Sequence, residues 1–118
     1  MEKTDRTVLR LELILTMIER TNARLASVSE DEFVDDHDEI DLLSFRLSQI
    51  GEMTGRLPTE LKAQYPEIPW REIGGMRNLL VHEYLRVIPL RLYLTAKNDL
   101  SELEKACRAA MEQYRDPA

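Results

Sequence analysis

Apolar residues recur along the chain at alternating spacings of three and four, which is the period of an amphipathic helix. The first such pattern predicts a helix that starts at Thr4 or Asp5 as N-cap and runs to about Ser27. The apolar stripe of this helix consists of Val8, Leu11, Leu15, Ile18 and Leu25. Residues 29–38, which are rich in acids, are predicted to connect it to the next helix, and their later part could already begin that helix.

A second amphipathic pattern follows the acidic stretch with the same spacing. Its stripe consists of Ile40, Leu43, Leu47, Ile50 and Leu57. Gly51 interrupts that face, and Gly55 with Pro58 is expected to close the helix. Acidic residues suit the start of this helix, because the macrodipole is positive at a helix N-terminus.

Prolines divide the following part of the chain. A short helical segment is predicted over residues 59–65, before Pro66. A third long helix is expected to start beside Pro69, since proline is tolerated at the first helical position. Its apolar positions, Ile73, Met76 and Leu80, carry the predicted helix through residues 77–84.

A last helix is predicted from Pro89 or Leu90 towards the C-terminus, with a break around residues 98–101. No stretch alternates with a period of two for long enough to indicate a strand. Four or five helices joined by short loops predict an all-α fold, an antiparallel helix bundle. Residues 1–118 are expected to form a single domain.

The amino-acid composition is that of a globular protein, and the sequence indicates where in the cell the protein is found. The 118 residues are 43% hydrophobic and 32% charged, which is typical of a soluble domain. No apolar run reaches membrane-spanning length, and the first six residues lack the layout of a secretory signal, so a cytoplasmic protein is expected. A single cysteine, Cys107, excludes an intramolecular disulfide. We interpret it as a small residue on a helix face.

Charge is distributed unevenly along the chain. Eight acids lie within residues 30–41, where there is no Lys or Arg, and without them the net charge of −6 would become +2. This acidic segment is interpreted as solvated; alternatively it repels stray nucleic acid or receives a basic partner. Residues 66–91 contain four arginines and three glutamates. That surface is too weakly basic for general nucleic-acid binding, but it is compatible with short, local phosphate contact.

Candidate chemistry is concentrated in residues 76–84. Arg77 carries a planar fork of donors that matches phosphate oxygens. His82 can transfer a proton near neutral pH, and Tyr84 adds a hydroxyl. A phosphate-binding cation beside a proton-transfer group is the minimum equipment for cutting a phosphodiester without a metal. Five helical steps leave Arg77 and His82 about 140° apart around the axis, so they would meet across a groove or across a twofold axis between two copies.

Each of these residues also has an ordinary structural interpretation. A single histidine in a helix is more often structural than catalytic. Arg77 could form a surface salt bridge with Glu72 or Glu83. Tyr84 could be half-buried, with its ring in the core and its hydroxyl in water. Spacing alone does not choose between these interpretations and the catalytic one.

Residues 77–84 fit the pattern Arg-x4-His-x-Tyr, and the surrounding sequence extends the match from about residue 41 to 103. Residues 47–52 resemble an Ile-Gly-Glu element, residues 65–76 a tryptophan-containing lead-in, and residues 98–100 an Asn-Asp-Leu element. Together these segments resemble the HepT-like family of HEPN-domain proteins, the toxins of HepT/MNT toxin–antitoxin pairs. Many relatives have Gly-Ile-Asp after the motif, whereas this chain has residues 85–89; Arg86 there could help to hold RNA or be an ordinary surface arginine.

The resemblance implies a homodimeric, metal-independent endoribonuclease. Arg77 and His82 would be its catalytic residues, and Asn78 would orient the histidine or bind the phosphate. RNA is the implied substrate. No bound cofactor, no metal, no DNA partner and no membrane partner are expected.

The resemblance also implies regulation through Tyr84. In such pairs an MNT-type nucleotidyltransferase antitoxin transfers AMP from ATP to the motif tyrosine, which would block the site beside Arg77 and His82. Two alternatives stay open. The chain could be a non-catalytic helical dimer that serves as a scaffold for the nucleotidyltransferase, or a stand-alone stress-response domain without a partner.

Overall fold

The computed structural model describes residues 2–115, except for the side chain of Lys3, and within this part of the chain all regular structure is helical. The predicted all-α fold is therefore confirmed. Six α-helices and one 3-10 turn, η1, follow one another in this order: α1 Lys3–Leu25, α2 Glu30–Val34, α3 His37–Gly55, α4 Thr59–Ala63, α5 Trp70–His82, η1 Tyr84–Arg86 and α6 Pro89–Arg115. Helix α3 packs against α5 on one side and α1 on the other, and α1 also packs against α6.

The ends of α1 differ from the prediction. The helix begins at Lys3 with Glu2 as N-cap, so neither Thr4 nor Asp5 caps it. Asp5 lies in the first turn instead, where its negative charge complements the positive end of the helix dipole. At the other end the helix stops at Leu25, two residues earlier than predicted.

The acidic stretch is more ordered than a plain connection. Residues Glu30–Val34 form the single turn α2, and the Ser29 side chain accepts a hydrogen bond from the backbone N–H of Glu32. Phe33 is fully buried, with its ring 5.2 Å from that of Tyr93 on α6. Asp36 then caps α3 by accepting from two backbone N–H groups. Ser29 and Asp36 stabilise the starts of α2 and α3, so this segment is helical rather than extended.

Helix α6 runs without interruption to Arg115, so the break predicted at residues 98–101 is wrong. The polar side chains of Asn98 and Asp99 face solvent. Leu100 and Leu103 are buried and continue the apolar stripe through the same turn. Burial of that stripe outweighs the low helix propensity of Asn, Asp and Ser.

The core lies between α1, α3, α5 and α6. It includes most of the predicted stripe residues and several alanines of α6. Cys107 belongs to it at 1% exposure, and burial raises the pKa of its thiol to about 12. The interpretation of Cys107 as a small residue on a buried helix face is confirmed.

Gly51 is buried on the face of α3 that packs against α5, and it permits a close backbone contact there. A Cβ at this position would lie 2.7 Å from the backbone oxygen of Ile73 and 3.2 Å from the backbone nitrogen of Arg77. Such distances leave no room for a methyl group. Gly51 therefore allows the two helix backbones to approach beside Arg77.

We expect Gly51→Ala to lower the free energy of unfolding by about 1–3 kcal/mol, the usual cost of overpacking. The added methyl group must push α5 away from α3, since the atoms it meets belong to the backbone. Gly75→Ala is the matched control, because nothing lies within 4 Å of its Cβ position. Denaturant unfolding should show the control to be as stable as wild type or more stable, by up to about 1 kcal/mol. Equal stability of both variants would contradict the close approach.

Candidate functional site

The motif helix ends inside the Arg-x4-His-x-Tyr pattern. Helix α5 stops at His82, and Glu83 leaves helical geometry with φ −127° and ψ 29°. Tyr84 lies in η1 rather than on the helix, so the prediction that the helix continues through residue 84 is wrong. Tyr84 therefore follows a change of chain direction after His82.

Arg77 is held by a carboxylate of the neighbouring helix. Its Nε lies 2.9 Å from Oε2 of Glu52 on α3, and Glu52 also pairs with Arg56 at 2.7 Å. Among the described residues Arg77 pairs with neither of the two glutamates suggested by sequence, and Glu83 instead lies 3.9 Å from Arg86. With Nε engaged and 44% of the side chain exposed, the Nη edge of the guanidinium is accessible to a phosphate.

Asn78 extends this polar group. Its Oδ1 accepts a hydrogen bond from Nη1 of Arg77 at 3.5 Å, which is the long limit for such a bond. The bond places the amide beside the guanidinium, on the exposed side of α5. Asn78 is thus close to the atoms with which Arg77 would bind an anion.

His82 faces solvent at the C-terminal end of α5. In the part of the chain that the structure describes, its imidazole has no hydrogen bond or ion pair, and none links it to Arg77, Asn78 or Tyr84. A histidine kept for packing would be buried among apolar groups. The exposed imidazole is available to a molecule that approaches from solvent.

Tyr84 is anchored to α3. Its hydroxyl donates a hydrogen bond to Oδ1 of Asp41, a residue 43 positions earlier in the chain. Tyr84 is 38% exposed and its hydroxyl is held by Asp41, which differs from the structural interpretation with the ring in the core and the hydroxyl in water. The pKa of Tyr84 is raised, first by the hydrogen bond to Asp41 and then by desolvation. Asp41 therefore has a specific contact and is more than a member of a solvated acidic run.

A cleft of about 240 Å³ lies between α3, α5 and the start of α6. Its walls are mostly apolar and include Met76 and Leu79 of the motif helix. Arg86 and Arg91 also line it, so two cations lie close to an apolar surface. Arg86, which follows the motif, is thus part of a concave surface next to it.

Neither a metal-binding cluster nor a membrane-spanning helix is found within residues 2–115. No group of three or more His, Cys, Asp or Glu side chains is arranged to hold a metal ion in this part of the chain. None of the described helices combines the length and the apolar character needed to cross a membrane.

Residues 14–110 match the family described as Ribonuclease HepT-like. The chain belongs to the HepT-like ribonuclease family. Among similar proteins, one named "Putative RNase TTE0752" from Caldanaerobacter subterraneus subsp. tengcongensis is 33% identical over 103 residues, which is 87% of this chain and 92% of that protein. No solved structure matches the chain significantly.

Other relatives match over a shorter region. "Putative RNase MJ0125" from Methanocaldococcus jannaschii is 39% identical over 59 residues, which is 50% of this chain and 51% of that protein. "Probable ribonuclease HepT" from Thermococcus cleftensis is 41% identical over 58 residues, 49% of this chain and 53% of that protein. The match thus spans about half the length of these two relatives. Membership of the family and the names of its members support an RNase.

Proposed function

We propose that this HepT-like protein is a metal-independent endoribonuclease in which Arg77 and His82 act on the same sugar–phosphate linkage. The observation that supports this most is the exposure of both side chains, with Arg77 fixed through Nε to Glu52 and its Nη groups, one of which makes only a long hydrogen bond to Asn78, exposed to an anion. A guanidinium that is already oriented loses less entropy when it binds phosphate. Asn78, bonded to Arg77, adds an amide for the same phosphate or for the histidine.

RNA supplies its own nucleophile for this reaction. The ribose 2′-hydroxyl loses its proton and attacks the adjacent phosphorus, and the bond to the 5′-oxygen breaks as that oxygen gains a proton. His82 carries out one of the two proton transfers, and Arg77 stabilises the charge that develops on the phosphoryl oxygens. In a dimer the two copies of His82 would divide the acid and base roles. The products are a 2′,3′-cyclic phosphate, or the 3′-phosphate derived from it, and a 5′-hydroxyl end.

A homodimer would bring two copies of the motif to one cleft. Exposed apolar side chains cluster in the sequence around the motif, from the end of α5 through η1 to the start of α6: Leu79, Val81, Leu85, Ile88, Leu90 and Leu94. Leu85 alone is 96% exposed. Surfaces of this kind mark protein–protein contacts. We propose that a second copy covers them about a twofold axis.

Leu85→Glu should convert the dimer to a monomer and abolish RNA cleavage, because a buried unpaired charge at an interface is strongly unfavourable. Analytical ultracentrifugation measures the first effect, and a cleavage assay the second. Leu9→Glu is the matched control, an exposed leucine of α1 at 44% exposure. If Leu9→Glu dissociates the dimer and Leu85→Glu does not, the interface involves α1 instead.

We further propose that the chain is the toxin of a type VII HepT/MNT toxin–antitoxin system. Its nucleotidyltransferase antitoxin would transfer AMP from ATP to Tyr84. The nucleotide would add bulk and negative charge two residues from His82 and compete for the cation that binds the RNA phosphate. ATP is the substrate of the antitoxin, so no resident cofactor is assigned to this chain.

Cleavage of RNA by the purified protein in excess EDTA tests the proposed nuclease. Wild type should cut under these conditions. Inert wild-type protein across many RNAs would favour the alternative, in which the helical dimer only binds a nucleotidyltransferase. A genome without a neighbouring nucleotidyltransferase gene would instead favour a stand-alone domain.

A further inference from the structure

The contact between η1 and α3 joins a nucleophile to a carboxylate. Tyr84 donates its hydroxyl proton to Oδ1 of Asp41, so the lone pairs of the tyrosine oxygen are left available. Both residues are exposed, which makes the pair accessible to another protein. Among the described residues Asp41 has no ion-pair partner, so its charge is not neutralised by a neighbouring Lys or Arg.

We propose that Asp41 is the general base for nucleotidylation of Tyr84, an inference that depends on the proposed regulation of the toxin by AMP transfer. The toxin would then contribute a catalytic group to its own inactivation. The tyrosine oxygen attacks the α-phosphorus of ATP and forms the new P–O bond. The bond from that phosphorus to the bridging oxygen breaks, pyrophosphate leaves, and the hydroxyl proton passes to the Asp41 carboxylate.

An aspartate is a suitable base for this step. A tyrosine oxygen becomes far more acidic as its bond to phosphorus forms, so the proton moves to a carboxylate during the attack. Protein kinases use an aspartate in the same way to accept the proton of a substrate hydroxyl. The base must also be in hydrogen-bond contact with the proton it removes, and Asp41 meets that condition before any partner binds.

The hydroxyl proton of Tyr84 needs an acceptor during the attack on phosphorus. Its hydrogen bond to Asp41 and partial desolvation raise the pKa of Tyr84, in keeping with a hydroxyl that is held as a donor to this carboxylate. The hydroxyl has to lose its proton in the transition state, to an acceptor already in place.

The test is the steady-state rate of AMP transfer to the full-length chain by the partner nucleotidyltransferase, with ATP and Mg²⁺. Asp41→Asn keeps the shape of the side chain but cannot take up the proton. It should lower kcat by about 10²-fold or more and leave KM for the toxin unchanged. Asp41→Glu should recover part of the rate. Asp38→Asn, which alters an exposed acid one turn earlier on α3, should behave as wild type.

The outcomes separate this proposal from the proposed function. Absence of AMP on wild-type Tyr84 would remove both the regulation and the role of Asp41. Wild-type modification with an unchanged kcat for Asp41→Asn would overturn only the role of Asp41, and a faster Asp41→Asn would show that the hydrogen bond restrains Tyr84 instead. The Asp41→Asn variant without AMP on Tyr84 should cleave RNA as wild type does. That result would exclude misfolding as the cause of slow AMP transfer.

Discussion

His82→Ala should lower kcat for RNA cleavage by about 10²–10⁴-fold, the usual contribution of a positioned proton-transfer group. Stability should not change, because the imidazole is exposed and has no hydrogen bond or ion pair in the described part of the chain. A quenched-time-course assay on a defined RNA measures the rate, and thermal unfolding checks the fold.

The chain contains its own matched control for this substitution. His37, the only other histidine, is exposed at the first position of α3 and outside the motif. His37→Ala should cleave RNA at the wild-type rate. Wild-type cleavage by His82→Ala, or an equal loss in both variants, would show that proton transfer has been assigned to the wrong residue.

Arg77→Ala should lower the rate of cleavage by about 10²–10³-fold, as expected for loss of a group that stabilises charge in the transition state. Arg77→Lys should recover only part of that rate, because lysine keeps the charge but not the planar fork. The ion pair with Glu52 is partly exposed to solvent, which screens it, so either substitution should change the free energy of unfolding by only about 1 kcal/mol. Cleavage kinetics and denaturant unfolding measure the two effects.

Arg56→Ala distinguishes phosphate binding from general loss of positive charge. Arg56 is the C-cap residue of α3. It pairs with the other carboxylate oxygen of the same glutamate, Glu52 Oε1, at 2.7 Å. We expect this variant to keep most of the activity and the toxicity on expression, whereas Arg77→Ala should lose both. Equal losses would indicate that the arginines act through the net charge of the surface.

Much of the fold follows from helical periodicity, and the errors occur where two local preferences compete. The break predicted in α6 rested on the polar residues 98–101, but Leu100 and Leu103 are buried and keep the helix intact. The acidic stretch was expected to be a connection, although Ser29 and Asp36 supply caps and Phe33 supplies a buried anchor. Burial of apolar residues kept α6 intact, and local caps together with the burial of Phe33 ordered the acidic stretch.

The residues of the candidate site were proposed from the sequence, but their contacts were not. The motif and its family resemblance point to Arg77, Asn78, His82 and Tyr84, whose roles stay predictions. The partners Glu52 and Asp41 were missed as site residues. Both lie on α3, and Glu52 reaches Arg77 on α5 whereas Asp41 reaches Tyr84 on η1; periodicity does not encode such pairings. Gly51 beside Glu52 was the available signal: a glycine within an apolar helix stripe indicates close approach of another backbone.

The claim that RNA itself supplies the nucleophile can be tested most directly with a defined RNA that contains a single 2′-deoxynucleotide at the mapped cleavage site. In EDTA, the wild-type protein should cut the all-ribose RNA to a 2′,3′-cyclic phosphate or 3′-phosphate and a 5′-hydroxyl. It should leave the deoxy-substituted linkage intact. Cleavage at the deoxy position, or a 5′-phosphate on the product, would contradict the roles given to Arg77 and His82.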